Sequence, residues 1–314
     1  MNINIVGATG VVGRKLLSVL EENNFDFNRI KLFATKKNEG KQIKYKDKYL
    51  TVGSEFDENE LKNELFVLCV DKTVSKELVP LLLDKENYII DCSTEYRKNP
   101  TIPLIAVGVN DNDIKEHKLI CNPNCVVLQI VIPIMLIKQK YGINRIDVTS
   151  FQSVSGSGKK GIDDLIKKEK NFYRYDINKT CIPLIGDVLE NGYSSEEDKI
   201  RFELRKILND KDLIVNATCV RVPVEVCHGI SLSIETKKQF NLDDVKSIFI
   251  NDSNCIYQEV PNGEEGIESD NIFIGRLRKD LDNDKIMHMY IVGNNLRRGA
   301  ASNAYWIIKK VSEK

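Results

Sequence analysis

Met1-Asn-Ile-Asn-Ile-Val-Gly7-Ala-Thr-Gly10-Val-Val-Gly13 opens the chain, and its reading decides the fold. The apolar run INIVG over 3–7 predicts a strand, and the pattern over 11–23 predicts a helix. Between them the glycines form a turn in the setting where backbone N–H groups reach a pyrophosphate at a helix N-terminus. The spacing is G-x-x-G-x-x-G, whereas the commoner fingerprint is G-x-G-x-x-G, so the position after the first strand carries the reading. A purely structural glycine turn is the alternative.

Working outward, apolar runs alternate with helical patterns. IKLFA (30–34), LFVLCV (65–70) and YIIDC (88–92) read as strands, and 73–86 as a helix. Such alternation predicts an α/β domain, a parallel sheet with helices on both faces. From about 144 the texture changes to longer runs with period-2 character: IDVTSFQSV (146–154), NATCVRVPVEV (216–226), HGISLSIET (228–236) and IMHMYIV (286–292). These predict a second, α+β domain on a mostly antiparallel sheet. The expected boundaries are 1–124 with a returning C-terminal helix (295–314) for the Rossmann-like dinucleotide-binding domain, and 125–294 for the second domain.

Composition narrows the function. The 314 residues carry 46 Lys+Arg and 46 Asp+Glu, so no overall field favours nucleic acid or an anionic membrane. The start of the chain shows no secretory pattern, and no apolar run approaches the roughly 20 residues that span a bilayer. Eight scattered cysteines read as reduced thiols of a cytoplasmic protein. Cys121 and Cys125 form a lone C-x3-C among three histidines, so no metal site is expected.

The second strand ends Phe33-Ala34-Thr35-Lys36-Lys37-Asn38, with no carboxylate until Glu39. An NAD site usually places an acid there for the ribose 2′-OH. A hydroxyl followed by two lysines suits the 2′-phosphate of NADP instead; a solvated turn is the alternative.

One cysteine stands apart. Cys125 follows Asn122-Pro-Asn124 and precedes an apolar helical run, so Asn124 is the expected N-cap and Cys125 lies in the first turn. The helix dipole there favours thiolate. Three histidines could serve as its base. His117 lies in the charged stretch KEHKL, His288 alternates with methionines, and His228 sits at a break between two strands, the placement best suited to a site. Arg221 lies on the apolar strand Cys-Val-Arg-Val-Pro, where its guanidinium needs an anionic partner or an open cleft.

Four further stretches carry a resemblance. Asn122-Pro-Asn-Cys125, Phe151-Gln-Ser-Val-Ser-Gly156-Ser-Gly158, Ala217-Thr-Cys-Val-Arg221-Val-Pro…His228 and Asn295-Leu-Arg-Arg-Gly299, together with GATGVVG, resemble the aspartate-semialdehyde dehydrogenase family in order and spacing. The resemblance implies that Cys125 is the acyl-forming nucleophile, His228 the acid/base, and Gln152 the residue that orients the thioacyl intermediate. It implies that Arg221 grips the substrate carboxylate, Arg97 and Lys199 bind phosphate, and Glu196 contacts the substrate amine, although Glu197 is adjacent. Thr9, Gly10, Val11, Val12, Thr35, Lys37, Asn38, Ser155, Gly156 and Asn295 match cofactor-contacting positions. The implied substrates are aspartyl phosphate, aspartate semialdehyde and phosphate, the cofactor NADP, and the assembly a homodimer or homotetramer through the second domain. The chain departs from the family at Asp71-Lys-Thr73, at Val107-Gly108, and in a shorter 168–182 segment. The rival readings are an N-acetyl-glutamyl-phosphate reductase with the same thiol chemistry, and a non-catalytic nucleotide-binding paralogue.

Overall fold

The structure, a computed structural model, describes residues 1–55 and 61–313. It divides into two compact units: Met1–Pro123 with Ala300–Lys314, and Asn124–Gly299.

In the first unit the described residues run β1 (Asn2–Val6), α1 (Val11–Glu22), β2 (Arg29–Phe33), β3 (Gln42–Tyr45), β4 (Lys48–Gly53), β5 (Leu65–Leu68), α2 (Lys72–Asp84), β6 (Tyr88–Asp91) and β7 (Leu119–Cys121). The sheet order is β3-β4-β2-β1-β5-β6-β7, parallel except for the β3–β4 hairpin. Alternate residues of β5 serve opposite faces, as the pleat requires. Leu65 and Val67 join Leu16 and Leu20 of α1, while Phe66 and Leu68 join Val79 and Leu82 of α2. Burial on both faces explains why these strands read as unbroken apolar runs.

The glycine turn is sterically obligatory. Gly7 has φ +83°, and a Cβ there would lie 2.2 Å from the Cys69 carbonyl oxygen. A Cβ on Gly13 would lie 2.5 Å from the Gly7 carbonyl oxygen. Asp71, the first residue of the unexpected Asp-Lys-Thr sequence, is the N-cap of α2 and accepts from the N–H of Thr73 (2.9 Å) and Val74 (3.1 Å).

The second unit contains α3 (Cys125–Tyr141), β8 (Ile143–Gln152), α4 (Gly158–Lys167), α5 (Ser195–Ile207), β9 (Ile214–Arg221), β10 (His228–Thr236), α6 (Leu242–Ile250), β11 (Cys255–Tyr257), β12 (Ile272–Lys279) and β13 (Ile286–Gly293). Its sheet order is β11-β12-β13-β10-β8-β9. The three central pairings are antiparallel, and the two outer ones, β11–β12 and β8–β9, are parallel. The strand expected over 216–226 is shorter than its apolar run: β9 stops at Arg221. Pro223 has no N–H to extend the ladder, and Cys227 adopts φ +72°, so the chain turns there.

After Gly299 the chain returns to the first unit as α7 (Ser302–Ser312), whose Ala304, Ile307, Ile308 and Val311 complete the core on the α1 side. Asn303 fastens it: Nδ2 donates to the Ile105 carbonyl (2.8 Å) and Asn122 Oδ1 (2.7 Å), and Oδ1 accepts from the Val107 N–H (2.9 Å).

Candidate active site

In the second unit, strand direction gathers distant residues at one end of the sheet. Gln152 ends β8 and pairs in register with Arg221, which ends β9. His228 begins the antiparallel β10 and faces Gly293, the end of β13. Asn295 follows two residues later. Cys125, the first residue of α3, meets this group: its Sγ is 3.4 Å from His228 Nε2.

The start of α3 is fixed three ways. The Asn124 side chain accepts from the N–H of Val126 (2.8 Å) and Val127 (3.4 Å). Its Nδ2 donates to Glu196 Oε1 (2.8 Å), and its backbone N–H donates to Glu203 Oε2 (2.6 Å). The positive end of the helix dipole here favours negative charge on sulfur.

His228 is fully buried, with Nδ1 3.1 Å from both the backbone N and the Oγ of Ser153. Burial, helped by the nearby Arg221 charge and opposed by Glu196, pushes its pKa down to about 3. The ring is therefore neutral at neutral pH. Because the Ser153 N–H can only donate, it favours the tautomer with the proton on Nε2, facing Cys125.

Arg221 is 4% exposed, and its Nη1 donates to the Ser153 carbonyl oxygen at 2.5 Å. Among the described residues it has no carboxylate within ion-pair distance, so a buried guanidinium keeps most of its donors for an added anion. Gly156 makes room for it, since a Cβ there would lie 2.9 Å from Arg221 Nη1.

Glu196 and Glu197 separate cleanly. Glu197 completes a capping box with Ser194 and accepts the Cys219 N–H at 3.0 Å, a structural task. Glu196 turns inward, accepting from Asn124, from Gln152 Nε2 (3.4 Å) and from Lys199 Nζ (3.1 Å). Burial works to raise its pKa, but the Lys199 charge and the Asn124 hydrogen bond outweigh it and hold Glu196 ionised, below the ordinary range. Asn295 Oδ1 accepts from Ser153 Oγ (3.1 Å), Ser155 Oγ (3.4 Å) and the Cys227 N–H (3.1 Å), and its Nδ2 donates to Ser155 Oγ (3.0 Å).

The other candidates lie in the first unit. Gly10 caps α1 with no side-chain bond, so the first-turn N–H groups at Val11 and Val12 are not taken up by a cap, which fits a phosphate. Thr9 lies in the same turn. Thr35 Oγ1 accepts from Asn38 Nδ2 (3.0 Å), and Lys36 is paired with Glu39 (2.7 Å), leaving exposed Lys37 as the lysine not held by that acid. Arg97 is buried, donating from Nη2 to the Cys92 carbonyl (2.9 Å). Of the other histidines, His288 is held between Ser233 and Asp280 on β13, and His117 lies in the loop before β7.

Two residues escaped the sequence reading. Glu203 had a legible signal, because it repeats at helical spacing with Glu196, Ile200 and Ile207 on the buried face of α5. Ser153 had none; only the fold brings its hydroxyl to a histidine 75 positions away. The group as a whole is a thiol at a helix N-terminus, a neutral imidazole and an anion-ready guanidinium. It is equipped for covalent acyl transfer with an acidic substrate.

Residues 2–117 match the family described as semialdehyde dehydrogenase, NAD binding domain, and residues 135–298 match semialdehyde dehydrogenase, dimerisation domain. The chain is 36% identical to an aspartate-semialdehyde dehydrogenase of Aquifex aeolicus, over 97% of this chain and 96% of that one. It is 30% identical to one of Bacillus subtilis, over 100% and 98%. Among solved structures it is similar to aspartate semialdehyde dehydrogenase II of Vibrio cholerae complexed with ASA, with TM-score 0.96, 31% identity and coverage of 100% and 98%.

Proposed function

The chain belongs to the aspartate-semialdehyde dehydrogenase family, and from that premise we propose that it interconverts L-aspartyl 4-phosphate and L-aspartate 4-semialdehyde with NADP(H), in the biosynthesis of aspartate-family amino acids. The observation that carries the reading is the 3.4 Å thiol–imidazole contact at the N-terminus of α3.

In the biosynthetic direction Cys125 thiolate attacks the acyl carbon, and the C–S bond forms as the bond to phosphate breaks. Arg221 holds the substrate carboxylate, while ionised Glu196 receives the substrate amine. Gln152, held toward Glu196, orients the thioester. Arg97 and Lys199 bind the phosphate, supplying charge neutralisation for the leaving group. Bound NADPH supplies the hydride that reduces the thioester. His228 Nε2–H steadies the developing oxyanion, and any proton it lends to that oxygen returns to Nε2 as the C=O re-forms and the C–S bond breaks, giving the aldehyde and the thiolate.

Thr9, Gly10, Val11 and Val12 would hold the cofactor at its phosphates, and Thr35, Lys37 and Asn38 at its ribose. Ser155, Gly156 and Asn295 would also contact it. The bare N-terminus of α1 supports the first group, and the absence of an acid at the end of β2 supports NADP over NAD. The protein works as a homodimer, for which the dimerisation-domain match over 135–298 is the support, and a homotetramer would be two such dimers. No helix among the described residues is long and apolar enough to cross a membrane. The eight cysteines, all unpaired with one another by disulfides, support a cytoplasmic setting.

The test is NADPH formation from NADP⁺, phosphate and each of two aldehydes. Turnover with aspartate semialdehyde, and none with N-acetyl-glutamate semialdehyde, is the expected result. The reverse preference would favour the reductase alternative, and no turnover with either would remove the reading.

A further inference from the structure

Behind the glycine turn lies a pair of thiols that the proposed reaction does not use. Leu68 and Asp91 face each other at the ends of β5 and β6, and the next residue on each strand is a cysteine. The ladder continues past the strand ends, since the Cys92 N–H donates to the Leu68 carbonyl at 3.0 Å. Leu68 packs on the α2 side of the sheet, whereas Cys69 and Cys92 both pack on the α1 side, as the pleat requires. Cys121 pairs with Asp91 instead, one residue out of step with them. Cys69 and Cys92 are half-buried, and neither is in a disulfide. The Cys92 thiol donates to Cys69 Sγ, and that bond, together with burial, pushes its pKa well up.

Both residues reach the cofactor end of the sheet through their backbones. The Cys69 N–H donates to the Val6 carbonyl at 2.8 Å, and the Cys69 carbonyl oxygen lies against Gly7, where a Cβ would be 2.2 Å away. The Cys92 carbonyl accepts from Arg97 Nη2 at 2.9 Å. Neighbouring strands lie about 4.8 Å apart, within the roughly 4.4–6.8 Å between Cα atoms that a disulfide spans. The Cβ atoms of a disulfide, however, lie only about 3.8 Å apart. Joining Cys69 to Cys92 therefore draws the two strand ends together by about 1 Å, which moves the turn at Gly7 and the carbonyl that holds Arg97.

We propose that Cys69 and Cys92 form an oxidation site for hydrogen peroxide, and that their disulfide loosens the grip of the glycine turn on the cofactor. The second half rests on the reading of that turn as the NADP site; the first half does not. Because Cys92 keeps its proton, Cys69 is the attacking sulfur. Its thiolate takes one oxygen as the O–O bond breaks, and the other leaves as water with the proton that the thiol gave up. The sulfur has then lost two electrons and is a sulfenic acid. Cys92 attacks it: the S–S bond forms, the S–O bond breaks, and the hydroxyl leaves with the Cys92 proton as a second water. Two thiols and one hydrogen peroxide give one disulfide and two waters.

The experiment adds hydrogen peroxide stepwise to the reduced wild-type chain. One portion is digested without reductant for mass spectrometry, and another is titrated with NADPH by fluorescence. The expected result is a linked Cys69–Cys92 peptide and a Kd for NADPH raised about tenfold, the worth of one lost hydrogen bond to a charged phosphate. Dithiothreitol should reverse both. Cys69→Ser, which removes the attacking sulfur, should bind NADPH as the wild type does and lose no affinity to peroxide. That variant separates the pair from Cys125, which keeps its thiol there. If Cys69→Ser does not fold, Cys92→Ser replaces it: oxidation should stop at a sulfenic acid on Cys69, trapped by dimedone. Absence of the linked peptide, or the linked peptide with an unchanged Kd, would overturn the proposal. So would an equal loss of affinity in Cys69→Ser, or no dimedone adduct on Cys69 in Cys92→Ser. A reduced wild-type chain that binds no NADPH would remove the cofactor reading, and the linked peptide would still decide whether the pair is an oxidation site.

Discussion

A Cβ placed on Gly299 would lie 3.0 Å from the Cβ of Cys125. Cys125 is thus packed against a backbone that has no room for a side chain, and the last residue of the second unit helps to shape its first helical turn. Gly299→Ala should therefore move Cys125 while leaving the distant core intact. The expected result is a fall in kcat of about tenfold to a hundredfold, because small misplacements of reacting groups cost that much. Unchanged kcat in a folded variant would show that the neighbouring turn yields freely.

Arg221 is expected to act through its planar fork. Arg221→Lys keeps the charge but loses bidentate geometry, so kcat/KM for the semialdehyde should fall by about a hundredfold, mostly through KM. Steady-state kinetics with the wild type as reference would read this directly. Equal kinetics would mean that Arg221 does not hold the substrate carboxylate.

Cofactor choice is assigned to Lys37, since Lys36 is paired with Glu39. Lys37→Ala should raise the KM for NADP⁺ by about tenfold and leave that for NAD⁺ nearly unchanged, as expected for one lost contact to a 2′-phosphate. Parallel loss for both cofactors would shift the discrimination to another residue.

Acid should destabilise the second unit early. His228 has a folded pKa near 3 against an ordinary value of 6.5, so between those values the unfolded chain binds a proton that the folded chain does not. Stability is greatest above about pH 6.5 and falls as pH drops through that window. Glu196, held below its ordinary 4.5, adds a loss of the same sign at lower pH. In His228→Asn, thermal melting should depend less steeply on pH between about 6.5 and 4 than in the wild type. An unchanged slope would show that His228 is not the group being titrated.

Much of the fold was legible because its signals are local. The apolar runs of β1, β2, β5 and β6 and the glycine turn needed no partner to be recognised. Asn124 and Cys125 were legible as a helix start for the same reason, and both capping bonds are present. The end of β9 was not, because Val222, Val224 and Val226 continue the apolar alternation past the point where Pro223 and the positive φ of Cys227 stop the ladder. In the site, Gln152 and Arg221 are neighbours through parallel register, which composition does not encode. The choice of Glu196 over Glu197 depended on the capping box, which occupies the second carboxylate. Ser153 was invisible for a more general reason: a serine in a polar-small stretch has no pattern until a histidine from another strand is brought to it.

The central claim is that Cys125 carries the acyl group, and it is tested most directly by omitting phosphate. Mixed with NADP⁺ and aspartate semialdehyde alone, the enzyme should release a burst of about one equivalent of NADPH per chain and then stall, with the thioacyl adduct found on the Cys125 peptide by rapid-quench mass spectrometry. Absence of the burst, or an adduct on any of the other cysteines, would contradict the account.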